Sequence, residues 1–501
     1  SQNSVRSIFR DSQGGMWLGT YWGGLNYYHP LCNRFQRIKH VPFLNSLSNN
    51  VVSCIVEDNK HNLWIGTSDG GLNYYDNASQ LYKNYLFNSG NLDVPFKDIK
   101  TVYVDEVQDR IYVGAHAGGM MVLHRKSGYI EYYNRHNSNL PSNNIYSIIS
   151  DGYGGLWVAS LEYLLHFDID KRNFTIVDVD EDGHKLQQYN RLLFCDSKKR
   201  IWAGGEMGIS VFNQVGTSLL PNTDFQIASV LKQAFVNCFY ETSSGYLWIG
   251  TRNGLFALKE SDKQFLQYTT ENGLPSNVIY GILEDAYGRL WISTNQGLSC
   301  LNPESGKFRN FTIMDGLQGN QFNAGAYCRK DNGYMLFGGV NGITSFRPET
   351  LIDNPYAPKP VINKLFVHNK EVLPDDETGI TYVNRITLSS SQNSFAISFV
   401  VSNYIAGKHN TFTYKLEGYD NVWYKQNDIS LVSYSNLPAG DYTFCIKAAN
   451  NDGKWNEEPA ILHIHILPVW YSTWWALSLF ALSFALLVFG IVRFFWLRKS
   501  M

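Results

Sequence analysis

The sequence carries almost no net charge. Its 42 lysines and arginines nearly balance 44 aspartates and glutamates, which leaves a formal charge of −2 at pH 7. Nucleic-acid binding usually requires a strongly basic surface. We therefore expect this chain to make no direct contact with nucleic acid.

Motifs of enzymes and of metal sites are also missing. The seven cysteines are an odd number and show no C-x-x-C spacing, and we expect most of them to be small buried residues. We find no H-E-x-x-H and no G-x-S-x-G motif. The sequence therefore predicts no catalytic residue, no metal and no cofactor.

One five-residue pattern recurs along the chain at intervals of 43 to 48 residues. Each copy resembles L-W-I-G-T, and short apolar runs and turns rich in glycine, asparagine and aspartate surround it, as in β-hairpins. Four short strands in about 45 residues are typical of one blade of a β-propeller. The eight copies are Met16–Thr20, Leu63–Thr67, Ile111–Ala115, Leu156–Ser160, Ile201–Gly205, Leu247–Thr251, Leu290–Thr294 and Met335–Gly339.

An aspartate precedes the tryptophan strand in six of these units. We interpret the aspartates as turn residues that accept hydrogen bonds from nearby backbone N–H groups, rather than as catalytic or calcium-binding carboxylates. We interpret the repeated tryptophans as packing between blades. The aspartates are Asp11, Asp58, Asp105, Asp151, Asp196 and Asp285.

The repeat is compatible with two different numbers of blades. Eight copies allow an eight-bladed ring, or a seven-bladed ring preceded by part of another propeller. We favour seven blades over residues 47–350, with residues 1–46 as a partial or first blade, either of this propeller or of a preceding one. The chain begins at Ser1 without a signal peptide, so we expect a fragment or a processed form.

The strand order predicts one variable face. If the strand before each aspartate is innermost, the loops after the L-W-I-G-T strands and the connections between blades open on the same side. Varied loop tips on a constant scaffold are how binding sites are usually built, and here they would suit a sugar-like ligand. The candidate ligand-binding residues are Trp22, His116, Glu162, Glu206, Arg252 and Asn295.

The repeat stops near residue 350, and a different domain follows. Prolines at 355, 358 and 360 indicate a linker or an edge strand. Residues 351–468 then alternate apolar and polar side chains in short segments separated by turns. This pattern predicts an immunoglobulin-like or fibronectin-like β-sandwich.

Four segments of this domain resemble the Y_Y_Y domain, and the blades upstream are similar to two-component regulator propeller repeats. The resemblance implies the periplasmic sensor of a hybrid two-component system of the kind common in Bacteroidetes. Such receptors often detect oligosaccharides and switch on polysaccharide-utilisation genes. No ligand residue is transferred, because the shared motifs are structural. The segments are Phe412–Asp420, Trp423, Tyr434–Tyr442 and Ala448–Trp455.

An uncharged segment near the end of the chain predicts a transmembrane helix. Residues 474–492 contain no charged side chain and would extend about 28 Å as a helix, close to the hydrocarbon thickness of a bilayer. Aromatic residues flank the segment and three basic residues follow it, which predicts an inner-membrane helix with a cytoplasmic C-terminus. We assign residues 469–497 to this helix and its flanks and residues 498–501 to the start of a cytoplasmic region.

The fold class is therefore all-β, with a propeller, a sandwich and one C-terminal transmembrane helix. We expect the chain to be a ligand-sensing region that acts as a homodimer, because a single helix needs a partner against which to move. The kinase would lie in the cytoplasmic part that follows in the family. Two alternatives remain, an adhesion or assembly module and a carbohydrate-active enzyme in which Glu162 and Glu206 approach each other.

Overall fold

The computed structural model describes residues 4–85, 96–160, 162–177, 190–259, 264–372, 380, 383–405, 407, 410–427 and 429–499. Within these residues the chain is almost entirely β, as the sequence predicts. It divides into two compact units. One unit is Cys32–Ile352, and the other combines Ser1–Leu31 with Asp353–Met501.

In the described part of Cys32–Ile352, seven antiparallel four-stranded sheets form the blades of a propeller. The first strand of each blade contacts the first strand of the next, and the cycle closes from blade 7 to blade 1. The structure therefore adopts the seven-bladed alternative, with the strand before each turn innermost.

The strands are short and follow the repeat. A helix at Gln226–Val230 lies between blades 4 and 5, and short 3₁₀ turns occur at Pro30–Cys32, Thr270–Asn272, Ile313–Asp315 and Pro348–Thr350. The blades, in order, are Val52–Glu57, Leu63–Thr67, Gly71–Asp76 and Leu81–Tyr85; Ile99–Asp105, Arg110–Ala115, Gly119–His124 and Ile130–Tyr133; Ile145–Ser150, Leu156–Ser160, Leu164–Asp168 and Asn173–Ile176; Asn190–Cys195, Arg200–Gly205, Gly208–Val215 and Ser218–Pro221; Val236–Glu241, Tyr246–Thr251, Gly254–Lys259 and Gln264–Tyr268; Ile279–Glu284, Leu290–Thr294, Gly297–Asn302 and Lys307–Phe311; and Phe322–Arg329, Met335–Gly339 and Gly342–Phe346 with Gln36–Ile38.

Blade 7 takes its fourth strand from the other end of the ring. Gln36–Ile38 pairs antiparallel with Gly342–Phe346, with Ile38 opposite Ile343. The sequence boundary at residue 47 is therefore corrected, because the propeller unit begins at Cys32. A strand of three residues has no periodic pattern of its own, and its partner lies far away in the sequence.

Turn aspartates organise one end of blades 1, 4 and 6. Asp196 Oδ1 accepts hydrogen bonds from the N–H groups of Lys198 (3.0 Å) and Arg200 (2.9 Å), which closes the hairpin. Its Oδ2 accepts the indole N–H of Trp202 at 2.9 Å. The predicted turn role is observed, and the bond to the tryptophan is an additional finding. Asp11, Asp58 and Asp285 make the same set of contacts.

Blade 3 uses a different partner for the same carboxylate. Asp151 Oδ2 bonds His166 Nε2 at 2.8 Å, and the buried indole N–H of Trp157 has no hydrogen-bond partner among the described residues. His166 lies directly opposite Trp157 on the next strand. The histidine therefore takes the place that the tryptophan holds in other blades.

The repeated tryptophans pack between blades, as predicted. Trp64 of blade 1 is 2% exposed and belongs to one apolar cluster with Ile99 and Ile111 of blade 2. Trp248 of blade 5 packs in the same way with Ile279 of blade 6. Where the indole N–H also bonds the turn aspartate, as in Trp64, the tryptophan links the turn of its own blade to the core that it shares with the next.

The described residues 4–31 belong to the second unit and not to the ring. They contain the strands Val5–Arg10, Met16–Thr20 and Leu25–Tyr28, which make a three-stranded antiparallel sheet with a blade-like turn. Within this unit, the ring of Trp17 packs edge-on against Tyr404, with 4.6 Å between ring centroids. The first copy of the repeat therefore packs with the second unit of the chain.

A two-sheet sandwich occupies most of the second unit. One sheet contains four strands and the other contains five, all antiparallel except the pair Arg385–Leu388 and Ala460–Ile466. Inward-facing side chains of both sheets share one apolar core, including Phe399 and Phe444. In sheet order the strands are Lys370–Glu371, Pro360–Val367, Phe395–Val401 and Leu431–Tyr434, then Arg385–Leu388, Ala460–Ile466, Gly440–Ala449, Thr411–Glu417 and Tyr424–Asn427.

Two tyrosines of the sequence motif fix turns of the sandwich. Tyr442 Oη donates to the carbonyl of Pro438 at 2.9 Å, four residues upstream, in the manner of a tyrosine corner. Tyr434 Oη donates to Asp420 Oδ2 at 3.0 Å, and the same oxygen accepts the N–H of Leu416. The two tyrosines therefore hold the chain at Pro438 and at Asp420 in a fixed conformation.

The last element is a long apolar helix. It spans Trp474–Lys499, with a mean hydropathy of 2.4 in its most apolar window, and follows a 3₁₀ turn at Trp470–Ser472. The helix is long and apolar enough to cross a membrane, and nearly all of its side chains are exposed. It continues seven residues beyond the uncharged segment through its basic end.

All seven cysteines are free thiols. Cys54, Cys238, Cys300 and Cys445 are buried and the other three are half-buried. Burial raises the pKa of Cys54 to about 12 and that of Cys300 to about 11. These thiols therefore serve as small core residues, as the sequence predicts.

The contacts of Asp285 predict that Asp285→Ala destabilises the propeller. The substitution removes the acceptor of two turn N–H groups and of the buried Trp291 indole. Unsatisfied buried donors of this kind cost about 3 kcal/mol in total. We expect a lower urea midpoint, followed by tryptophan fluorescence, whereas Asp170→Ala at an exposed position should leave the midpoint unchanged.

Candidate ligand-binding face of the propeller

The loops after the second strands and the connections between blades lie together on one face. The N–H of Gly119 donates to the carbonyl of Asn143 at 2.8 Å, and Gly254 makes the equivalent bond to Asn277. In each case a second-strand loop contacts the connection that enters the next blade. We call this side of the ring the loop face.

The amides of the connections are largely committed to the backbone. Asn143 Oδ1 accepts the N–H of Arg135 at 2.9 Å, and Asn277 Oδ1 accepts the N–H of Thr270 at 2.9 Å. Asn320 is held in the same way by Ile313. These asparagines fix the entry into the innermost strands, so they are poor candidates for ligand groups.

A β-bulge interrupts the innermost strand of every blade near its start. One residue there is skipped by the ladder, and in blade 7 the irregular stretch is longer. A bulge redirects the side chain that it carries, and bulges are common beside functional sites. The bulge residues are Ser53, Lys100, Tyr146, Arg191, Asn237 and Tyr280, with Asn323 in the longer stretch of blade 7.

Three of these side chains join neighbouring blades. Each donates a hydrogen bond to the carbonyl of the first residue of the next innermost strand. Buried bonds of this kind stabilise the ring. They connect Ser53 Oγ to Ile99 O (2.5 Å), Asn237 Nδ2 to Ile279 O (2.8 Å) and Asn323 Nδ2 to Val52 O (2.8 Å).

The consecutive blades 2, 3 and 4 use the bulge differently. Their side chains are Lys100, Tyr146 and Arg191, which contact other side chains of the loop face. Lys100 Nζ pairs with Asp98 Oδ1 at 2.8 Å. Tyr146 Oη lies 3.3 Å from His116 Nδ1, and the guanidinium of Arg191 lies 4.8 Å from the centre of the Tyr146 ring.

Arg191 extends this chain of contacts to blade 5. Its Nη2 donates to Glu206 Oε1 at 2.5 Å. Its guanidinium also lies 5.6 Å from the ring centre of Phe235, and that of Arg252 lies 3.7 Å from the same ring. Cation–π contacts of this kind hold the planar groups in defined orientations. We call the connected set the loop-face cluster, which comprises His116, Tyr146, Arg191, Glu206, Phe235 and Arg252.

The cluster is partly open to solvent and carries mixed charge. Arg191 and Glu206 are 35% and 36% exposed, whereas the Nε of Arg191 is buried without a hydrogen-bond partner among the described residues. Burial raises the pKa of Tyr146, Arg191 opposes this shift, and the negative charges of Asp98 and Glu206 add to it. Tyr146 is therefore a neutral phenol near pH 7, able to donate and to accept.

The structure brings three of the six predicted residues together. His116, Glu206 and Arg252 belong to the loop-face cluster, although they come from three different blades. Glu162 and Asn295 occupy the corresponding loops of blades 3 and 6, and Asn295 Oδ1 is buried without a hydrogen-bond donor in the described part of the chain.

Trp22 lies outside the propeller unit. It belongs to the unit that contains residues 1–31, where it is 78% exposed and packs against Tyr21. The assignment of ligand binding to all six residues stays a prediction.

Sequence reasoning missed Tyr146, Arg191 and Phe235. All three lie at or just before the start of an innermost strand, where they read as ordinary strand residues. Tyr146 and Arg191 could have been found by comparing the second residue of the innermost strands from blade to blade. Serine or asparagine stands there in blades 1, 5 and 7, lysine, tyrosine and arginine occupy blades 2 to 4, and blade 6 has a second tyrosine, Tyr280.

Comparison with known families confirms the predicted resemblance. The Y_Y_Y domain matches residues 403–467. The two component regulator propeller repeat matches residues 1–22, 46–69, 139–162, 231–253 and 273–296. The matches follow the order of the repeats and the sandwich along the chain.

One similar protein is a much longer histidine kinase. A curated relative, histidine kinase P4 of Formosa agariphila, is 27% identical over 343 residues, which are 66% of this chain and 25% of that protein. The chain therefore spans about a quarter of the length of that relative.

Solved structures show the same architecture. The extracellular domain assigned to the hybrid two component system BT3049 of B. thetaiotaomicron has a TM-score of 0.75 and 26% identity over 93% of this chain and 62% of its own. The extracellular domain of BT4673 from the same organism has a TM-score of 0.51 and 22% identity over 94% of this chain and 63% of its own, which supports the fold alone.

The two uses of the bulge predict different costs of substitution. Asn237→Ala removes a buried bond between blades 5 and 6 and leaves the Ile279 carbonyl without its partner, which should cost about 1–3 kcal/mol. Arg191→Ala removes half-exposed contacts, so the loss of stability should be about 1 kcal/mol or less.

Thermal unfolding of both variants beside the parent chain measures this difference. An Arg191→Ala variant that is less stable than Asn237→Ala would show that the cluster holds the ring together rather than presenting a surface.

Proposed function

We propose that this chain is the extracytoplasmic ligand-sensing region of a hybrid two-component histidine kinase. In this proposal the propeller and the sandwich lie in the periplasm, Trp474–Lys499 crosses the inner membrane, and the C-terminal end is cytoplasmic. The order of domains, the apolar helix and the similar extracellular sensor domains support it. Arg498 and Lys499 in the last turn favour this orientation.

The ligand binds at the loop-face cluster. This assignment rests on one observation, the unbroken series of side-chain contacts from His116 in blade 2 to Arg252 in blade 5. Ligand-binding sites of proteins combine apolar surfaces with a few polar groups that fix the orientation of the ligand. The variable loop tips surround this series, whereas the turns on the other side of the ring follow the repeat.

The chemistry of the cluster suits an oligosaccharide. The rings of Tyr146 and Phe235 offer flat apolar surfaces, while the two arginines and Glu206 offer planar, multiply hydrogen-bonding groups. With Asp98 and Lys100 the region holds three basic and two acidic side chains, which leaves one positive charge when His116 is neutral. The site should therefore accept neutral oligosaccharides and favour those with an acidic residue.

The region acts by binding rather than by catalysis. A glycosidase would need Glu206 and a second carboxylate placed on either side of a glycosidic bond. The structure instead places Glu206 against the guanidinium of Arg191.

The binding assignment is tested with the full chain in detergent micelles and a panel of neutral and acidic oligosaccharides. Isothermal titration should detect at least one ligand, and Arg191→Ala with Arg252→Ala should weaken it at least tenfold. Ser244→Ala, in an exposed turn of blade 5 on the other side of the ring, serves as the matched control. Unchanged affinity in the double variant would exclude the loop-face cluster.

Signalling requires a second copy of the chain. Ligand binding would change the packing of two Y_Y_Y sandwiches near the membrane, and two helices would transmit this change to control polysaccharide-utilisation genes. A homodimer is the simplest assembly that meets this need.

The dimer proposal predicts ligand-dependent crosslinking next to the membrane. Ser472 is exposed at the end of the 3₁₀ turn that precedes the helix. Ser472→Cys should form an intermolecular disulfide under mild oxidation, and its yield should change by at least twofold with bound ligand. The parent chain, with its seven native thiols, reports the background. A yield that does not respond to a bound ligand would contradict this mechanism.

A further inference from the structure

A second feature lies on the opposite side of the ring, where the turns join neighbouring blades. At two junctions, a glutamate that ends an innermost strand accepts two bonds from a serine in the turn of the preceding blade. Glu284 accepts the N–H and the hydroxyl of Ser243, both at 2.9 Å. Glu241 accepts the same two groups of Ser197, at 2.7 and 2.6 Å. Both oxygens of each carboxylate are thereby satisfied.

The junction that closes the ring departs from this arrangement. Glu57 of blade 1 accepts the N–H of Asp331 of blade 7 at its Oε2, with a distance of 2.8 Å. Asp331 occupies the position of the serine in the turn, but a carboxylate has no proton to donate. The side chain of Glu57 is 8% exposed, and its Oε1 has no hydrogen-bond partner among the described residues. The nearest cation is Lys330 Nζ, at 3.8 Å.

A histidine faces this unsatisfied oxygen. His61 Nδ1 lies 3.6 Å from Glu57 Oε1 and 3.4 Å from Asp331 Oδ2. The three atoms lie within 4.8 Å of one another. His61 and Asp331 are 53% and 75% exposed, so ions and water reach the site freely.

We propose that Glu57, His61 and Asp331 bind a divalent transition-metal ion of the Zn²⁺ type. In a tetrahedral site with bonds of about 2.0–2.1 Å, the ligand atoms lie about 3.3–3.4 Å apart. The two distances from His61 are already close to this value, and the exposed Asp331 side chain can adjust the third. One imidazole and two carboxylates leave room for water, and an imidazole ligand favours Zn²⁺ over Mg²⁺ or Ca²⁺.

The ion would strengthen the ring where it closes. Its ligands come from blade 1 and blade 7, which adjoin only after the whole propeller has formed. Before the ion binds, Glu57 and Asp331 contribute two negative charges and Lys330 one positive charge. The site then has one net negative charge when His61 is neutral. The ion would bind Glu57 Oε1, which has no hydrogen-bond partner among the described residues. At the other two junctions a serine hydroxyl bonds the equivalent oxygen.

A rival explanation uses a proton instead of a metal. A protonated His61 between two carboxylates would show the same distances. The two explanations differ in their response to Zn²⁺, because only a metal site predicts saturable binding of one ion that depends on all three side chains.

The test is isothermal titration of the chelator-treated full chain with Zn²⁺ at pH 7.5, with Mg²⁺ and Ca²⁺ in parallel. We expect one Zn²⁺ per chain with micromolar or tighter affinity, and a thermal midpoint that rises on binding. Asp331→Ser should weaken binding at least tenfold. Asp331→Ser also introduces the serine that is found at the other two junctions, so this variant should fold without the ion.

Two further variants separate this site from others. Glu57→Gln and His61→Asn should each weaken Zn²⁺ binding at least tenfold, whereas Asp170→Ala should not change it. Burial raises the pKa of the Cys328 thiol to about 12, so it should not compete as a thiolate. Absence of binding, or binding that persists in Asp331→Ser and His61→Asn, would overturn the proposal and favour the protonated histidine.

Discussion

The fold depends on the carboxylate that closes the first turn of a blade and also holds the indole of its second strand. In blades 1, 4 and 6 a single aspartate accepts two turn N–H groups and the tryptophan N–H. The tryptophan then packs between blades, so one side chain couples hairpin geometry to the core of the ring. Because this coupling lies at the end of the blade away from the loop face, the loop face is free to vary.

That freedom is used unevenly around the ring. Every innermost strand carries a bulge near the loop face, and in three blades the bulge residue binds the backbone of the next blade. In blades 2 to 4 the same position carries Lys100, Tyr146 and Arg191, whose side chains contact loop residues. In these three consecutive blades the bulge position thus contributes to the loop face, which is where the candidate site lies.

The sequence predicts those features that repeat. The period locates the blades, the turn aspartates and the buried tryptophans, and the motif tyrosines locate the sandwich. His116, Glu206 and Arg252 were found because they interrupt a regular pattern in the loops. Tyr146 and Arg191 were missed, since a bulge changes side-chain direction without changing the apparent strand pattern. The strand Gln36–Ile38 and the Glu57–Asp331 junction were missed because both depend on ring closure, which joins residues 274 or more positions apart.

We propose that ligands bind at the loop-face cluster. Hydrogen exchange of the full chain, with and without an oligosaccharide that binds it, tests this claim directly because it reports every blade at once. We expect slower exchange of backbone amides near residues 98–100, 144–147, 190–193 and 235–238, with the turns on the opposite side unchanged. Protection confined to those turns or to the sandwich would contradict the account.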